Sequence, residues 1–128
     1  MSTTESTVAV RSGAHPNVEI LRAVYADLTR LGEFAADDVV LHPAEGGADH
    51  VGRQAVVGKE RDLIGLTGGT LLMDVEHITA NDYYGAVLGI LRARLNGNDL
   101  AVPFCGLWRF SDGLIVEHWE NAYDLVVR

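Results

Sequence analysis

The stretch from Ala101 to Asp124, AVPFCGLWRFSDGLIVEHWENAYD, constrains this chain more than any other. Two runs rich in apolar and aromatic residues flank Ser111-Asp112-Gly113. Asp-Gly between such runs signals a hairpin, because the turn needs positive φ and glycine has no Cβ to clash. The hairpin holds both tryptophans, two of the three phenylalanines and the only cysteine. His118 is embedded in it, next to Glu117 and close to Glu120. Strand alternation puts Phe104, Gly106, Trp108 and Phe110 on one face. Which residues of the last strand join them depends on the turn. A three-residue loop, Ser111 to Gly113, pairs Phe110 with Leu114, places His118 opposite Gly106, and adds Leu114, Val116, His118 and Glu120 to that face. A two-residue loop puts Ile115, Glu117 and Trp119 there instead, since a slip of one residue flips every side chain.

The rest of the chain reads as helix, short strand, helix, then long strands. Residues 1–14 are Ser/Thr-rich without a period and are expected to be a mobile tail; residues 15–128 form the domain. From Pro16 the apolar residues Leu21, Val24, Tyr25, Leu28 and Leu31 follow helical spacing, with Gly32 as the stop. Val39 to His42 is a short β-rich run closed by Pro43, and Ala44 to Gly52 a glycine-rich loop. Arg53 to Leu66 is a second helix. Thr70–Ala80 and Tyr83–Leu95 are strands, and the opening hairpin supplies two more. Short turns between them predict an antiparallel meander. His77 is expected on the Leu71-Met73-Val75 face. Arg92 and Arg94 share a face and are expected to meet Asp74 or Glu76 as ion pairs. The whole is an α+β domain, with a curved sheet wrapped around the first helix.

At 128 residues the chain is long enough to bury one core. A net charge of −8 argues against nucleic acid, which needs clustered Lys and Arg. There is no apolar run of about 18 residues to span a membrane, and the polar N-terminus has no secretory h-region. One cysteine cannot form an internal disulfide, which suits a cytoplasmic location. The histidines lack H-x-x-x-H spacing and Cys105 stands alone, so no metal site is expected. G-x-S-x-G and phosphate-loop spacings are absent, and no cofactor is expected.

Three pieces together resemble the NTF2-like superfamily, in its SnoaL-like and ketosteroid-isomerase-like branch, over roughly Ile20 to Asp124. They are Val24-Tyr25-Ala26-Asp27-Leu28 with Gly32 after it; Ala36-Asp37-Asp38-Val39-Val40-Leu41-His42-Pro43; and Trp108-Arg109-Phe110 followed by Asp112-Gly113-Leu114-Ile115-Val116-Glu117-His118-Trp119. The resemblance implies a cone, with helices packed in a curled sheet and an apolar pocket at the open end. It also implies a homodimer formed through the sheet's outer face. It favours the three-residue loop, with His118 on the pocket face. There are departures. The helix usual between Gly32 and the Ala-Asp-Asp run is missing or very short. Gly106 stands where related isomerases carry an acid, and His42 stands before Pro43 where they carry their catalytic Asp. The R-x-D of epoxide-hydrolase-like members is absent, since Arg92 is followed by Ala93-Arg94.

The expected chemistry is cofactor-free proton transfer on an apolar carbonyl compound: isomerisation, aldol-type cyclisation or dehydration. His118 titrates near neutrality, with an unperturbed pKa of about 6.5, and so can move a proton. Glu120, two residues on, is expected to orient it. His42 is expected to take the proton from carbon. The resemblance gives Tyr25 a phenol that donates to a developing oxyanion. Phe104, Gly106, Trp108, Phe110 and Val116 are expected to line the substrate pocket. A non-catalytic ligand-binding or dimerisation module of the same fold is the alternative. Epoxide or ester hydrolysis through a histidine-activated water is a third reading.

Overall fold

The computed structural model describes residues 15–122; the expected tail, 1–14, lies outside them, as does the end of the hairpin stretch at Asp124. Helix α1 runs Pro16–Ala26, a 3₁₀ turn Leu28–Arg30, and a four-residue helix α2 Leu31–Phe34. Then follow β1 (Ala35–His42), β2 (His50–Val51), α3 (Arg53–Leu66), β3 (Leu72–Ala80), β4 (Tyr84–Leu95), β5 (Asn98–Ser111) and β6 (Leu114–Ala122). Helix α1 starts where Pro16 predicts, because a ring nitrogen of His15 accepts the Asn17 N–H. It stops earlier than Gly32. Asp27 turns extended (φ −153°), and its carboxylate takes the N–H and hydroxyl of Thr29. That local bond competes with helix continuation. α2 is a single turn that includes Gly32, so the helix usual between Gly32 and the Ala-Asp-Asp run is very short, as expected.

The six strands form one sheet in the order β2-β1-β6-β5-β4-β3. β3 to β6 are the antiparallel meander the turn signals predict. The first strand is twice the predicted length and pairs parallel with β6, with Leu41 beside His118 and His42 beside Trp119. β2, inside the expected loop, is a two-residue bridge to β1. The concave side closes on Leu21, Val24, Leu31, Leu41, Val56, Trp108, Phe110 and Ile115, all essentially inaccessible. Close approach is made possible in β4 by Gly89, where a Cβ would lie 2.4 Å from the Asp74 carbonyl and 2.9 Å from the Phe104 ring.

Two register details correct the expected faces. The hairpin turn has two residues, Asp112 (φ 51°) and Gly113 (φ 80°), so Ser111 pairs with Leu114 and Phe110 with Ile115. The expected three-residue loop, with Phe110 opposite Leu114, does not occur, and Leu114 is exposed. The two-residue alternative alone would send Glu117 and Trp119 inward. Instead the register shifts, because Arg109 pairs with Glu117 and Val116 is an extra residue with no partner opposite. This bulge restores the face, so Ile115 and His118 are both buried. A second bulge, between Val75 and His77 in β3, turns His77 out to solvent and away from the expected Leu71-Met73-Val75 face. Arg92 meets Asp74 across β4 and β3 at 2.9 Å, as expected, on an exposed surface.

Candidate active site

Helix α1, helix α3 and the inner face of β5–β6 enclose a recess lined by Tyr25, Leu28, Lys59, Glu60, Leu63, Met73, Leu91, Phe104, Gly106, His118 and Glu120. Its cavity volume is about 40 Å³, so the recess is small.

Tyr25 stacks on Phe104 (5.6 Å) and meets Trp108 edge-on (5.8 Å). Its hydroxyl oxygen accepts the Trp108 indole N–H at 3.2 Å, which leaves its own hydrogen free to donate. Burial raises the phenol far above its ordinary range, so it stays protonated. Gly106 makes this placement possible, since a Cβ there would lie 2.1 Å from the Tyr25 hydroxyl. The expected opposition of His118 to Gly106 is corrected. His118 pairs with Trp108, and Gly106 pairs with Glu120. The room over Gly106 is occupied by Tyr25.

His118 is buried and its ring lies flat on Trp108, 3.5 Å between centroids. Nδ1 donates to the Leu107 carbonyl at 3.0 Å. Burial lowers its pKa to about 4, so at neutral pH the ring is neutral and Nε2 is an acceptor. Nε2 stands 4.0 Å from Glu120 Oε2. Lys59 reaches Glu120 at 3.4 Å and Glu45 at 3.7 Å. The buried carboxyl of Glu60 is within hydrogen-bonding contact of Glu120. Its pKa is raised well above the usual value, first by burial and then by the Glu120 charge. Glu60 and Lys59 were not anticipated from sequence. The available signal was a glutamate on the helical stripe Val56, Glu60, Leu63, where an apolar residue is the norm.

His42 is not brought to this recess. It lies on the opposite face of the sheet, stacked on Trp119 at 5.3 Å. Its Nε2 meets Glu117 at 2.5 Å and its Nδ1 meets Asp49 at 2.8 Å. The Glu117 hydrogen bond raises the His42 pKa and lowers that of Glu117. Arg109 completes the cluster at 2.9 Å from Glu117. Of the expected pocket residues, Phe104 and Gly106 line the recess. Trp108 and Phe110 are core beneath it, 1 % and 2 % exposed. Val116 is the bulge residue and is absent from the wall. No three His, Cys, Asp or Glu side chains converge as metal ligands among the described residues. No helix of the described residues is long and apolar enough to cross a membrane.

A six-stranded curved sheet packed over N-terminal helices is the NTF2-like cone. The profile of the SnoaL-like domain family matches residues 21–118, and the chain belongs to that family. Among solved structures it is similar to Bal32a from a soil-derived mobile gene cassette, at 27 % identity over 86 % of this chain and 91 % of that one, with a TM-score of 0.75. A candidate SnoaL-like polyketide cyclase from Jannaschia sp. CCS1 gives 17 % identity, 89 % and 90 % coverage and a TM-score of 0.72. IdmH, a candidate polyketide cyclase from Streptomyces antibioticus, gives 21 % identity, 87 % and 94 % coverage and a TM-score of 0.70. No curated protein matches.

Proposed function

We propose that this protein is a small-molecule enzyme that moves a proton on an apolar carbonyl compound without a cofactor, by isomerisation, aldol-type cyclisation or dehydration. The observation that carries this reading is the uncommitted hydroxyl hydrogen of Tyr25, facing the same apolar recess as the acceptors Glu120 and His118 Nε2. The substrate carbonyl accepts from Tyr25. Glu120, backed by Lys59, takes a proton from the carbon beside it, and the enolate oxygen is held by the phenol. A donor fixed before charge develops is worth about 2.7–4 kcal/mol of barrier. His118, neutral and locked by Leu107 and Trp108, offers Nε2 to a hydroxyl of the substrate. His42 has no part in this step. Leu28, Leu63, Met73, Leu91 and Phe104 exclude water.

The small volume of the recess favours a small substrate, and it also favours a second reading, a ligand-binding module without turnover. A panel of small β-hydroxy ketones and β,γ-unsaturated ketones separates the two, with absorbance of the conjugated enone as the readout. The enzyme reading expects enone from the wild type and at least a tenfold loss in Tyr25→Phe and in His118→Ala. Saturable binding without enone selects the binding module. The outer face of the sheet exposes Tyr84, Leu88 and Leu107, and a second copy of the chain would cover them.

A further inference from the structure

Among the described residues, Glu60 Oε1 is the single buried side-chain nitrogen or oxygen without a hydrogen-bond partner. Buried polar atoms are nearly always partnered, so an orphan oxygen on a side chain that lines the recess calls for a role other than packing. Helix α3 carries Glu60 inward on the same stripe as Val56, which is 1 % exposed. Glu60 lines the recess together with Tyr25, His118 and Glu120. Its carboxyl is in direct contact with that of Glu120. Two carboxyls in contact inside an apolar wall do not both ionise, so the pair holds one proton. Lys59, 3.4 Å from Glu120, biases the negative charge toward Glu120 and leaves the proton on Glu60.

We propose that Glu60 is the catalytic acid of this site, sharing one proton with Glu120 and delivering it to the substrate through the unpartnered oxygen. This rests on the proton-transfer reading above and deepens it. Glu120 breaks the C–H bond beside the carbonyl, and the electron pair moves into the enolate held by Tyr25. Glu60 then gives its proton either to the γ-carbon, completing a 1,3-shift, or to a β-hydroxyl. In the second case the C–O bond breaks, water leaves and the C=C bond forms. The substrate gains and loses protons in equal number and nothing is oxidised. After turnover Glu120 carries the proton and Glu60 is the carboxylate. The proton crosses back through their direct hydrogen bond, a half-turn of the Glu60 carboxyl returns it to the unpartnered side, and the site resets without drawing on solvent.

The test has two arms. In the first, protein labelled at the glutamate side-chain carboxyl carbon is titrated by NMR. One glutamate resonance stays in the neutral-acid position at neutral pH, and it is missing from Glu60→Gln. If all resonances are in the ionised position at neutral pH, the shared proton is overturned. In the second, enone formation from β-hydroxy and β,γ-unsaturated ketones is measured for wild type, Glu60→Gln and Glu60→Asp. Glutamine keeps the shape and neutrality of the acid but has no transferable proton. It is expected to lower kcat about 100-fold or more with KM changed less than threefold, while Asp recovers part of the loss. Turnover retained in Glu60→Gln overturns the role of Glu60 alone. No enone from the wild type overturns both that role and the reading beneath it.

Discussion

Replacing Gly106 by alanine puts a Cβ 2.1 Å from the Tyr25 hydroxyl oxygen, 3.1 Å from Trp108 Nε1 and 3.4 Å from His118 Cε1. Only the first contact is impossible. Tyr25 cannot step aside cheaply, because Phe104 and Trp108 hold its ring on two sides. Overpacking of this kind costs about 1–3 kcal/mol. Tyr25→Phe alone removes the acceptor for the buried Trp108 N–H and costs about 1–3 kcal/mol. In the double variant the colliding atom is gone, so the two costs do not add. The predicted coupling is at least about 1 kcal/mol in the direction of rescue. Urea unfolding followed by tryptophan fluorescence reads all four proteins, with the slope checked for constancy. Costs that add within about 0.5 kcal/mol would refute the placement of the Tyr25 hydroxyl over Gly106.

Other perturbations follow from the same geometry. His118 is held neutral, with its pKa lowered to about 4 in the folded state. The unfolded chain therefore binds the extra proton between about pH 6.5 and 4, and stability falls as pH drops through that window. Each unit is worth about 1.4 kcal/mol, so the loss approaches about 3 kcal/mol, and His118→Asn abolishes that part of the slope in a pH series of urea melts. Glu60 has the opposite sign. Its folded pKa is raised, so its stability contribution is full below about pH 4.5 and is lost as pH rises; wild type weakens relative to Glu60→Gln across that range. His42→Ala leaves turnover of the ketone panel within twofold, because His42 faces away from the recess. It costs about 1 kcal/mol between about pH 4.5 and 6.5, where the raised His42 and the lowered Glu117 are both charged. Deleting Val116 removes the bulge and turns either Ile115 or His118 outward; exposing Ile115 alone costs about 2–3 kcal/mol, read as a lower thermal midpoint.

Much of the architecture was legible because it rests on local signals. The helical stripe from Leu21 to Leu31, the Asn96-Gly97 and Asp112-Gly113 turns and the alternation through β4 and β5 need no knowledge of distant residues. Boundaries moved where a side chain bonded its own backbone neighbourhood, as Asp27 does with Thr29. The face of the last strand was not legible. Two opposite one-residue effects, a two-residue turn and a bulge at Val116, cancel, so His118 and Glu120 reach the expected side for a reason other than the expected one. His42 was misplaced relative to the site because a parallel pairing with β6 sets its face, and nothing near His42 in the chain announces that pairing. Glu60 was missed because a glutamate in a helix reads as solvated surface until the stripe around it is drawn.

The central claim is that the recess holds a phenol donor opposite a proton acceptor. Its most direct test is exchange of the α-hydrogens of cyclohexanone in heavy water, followed by proton NMR with catalytic amounts of protein. Wild type is predicted to exchange them faster than buffer alone, and Tyr25→Phe and Glu120→Gln each to lose at least about tenfold of that excess. Exchange at the buffer rate in wild type, or an excess unchanged in both variants, would contradict the account.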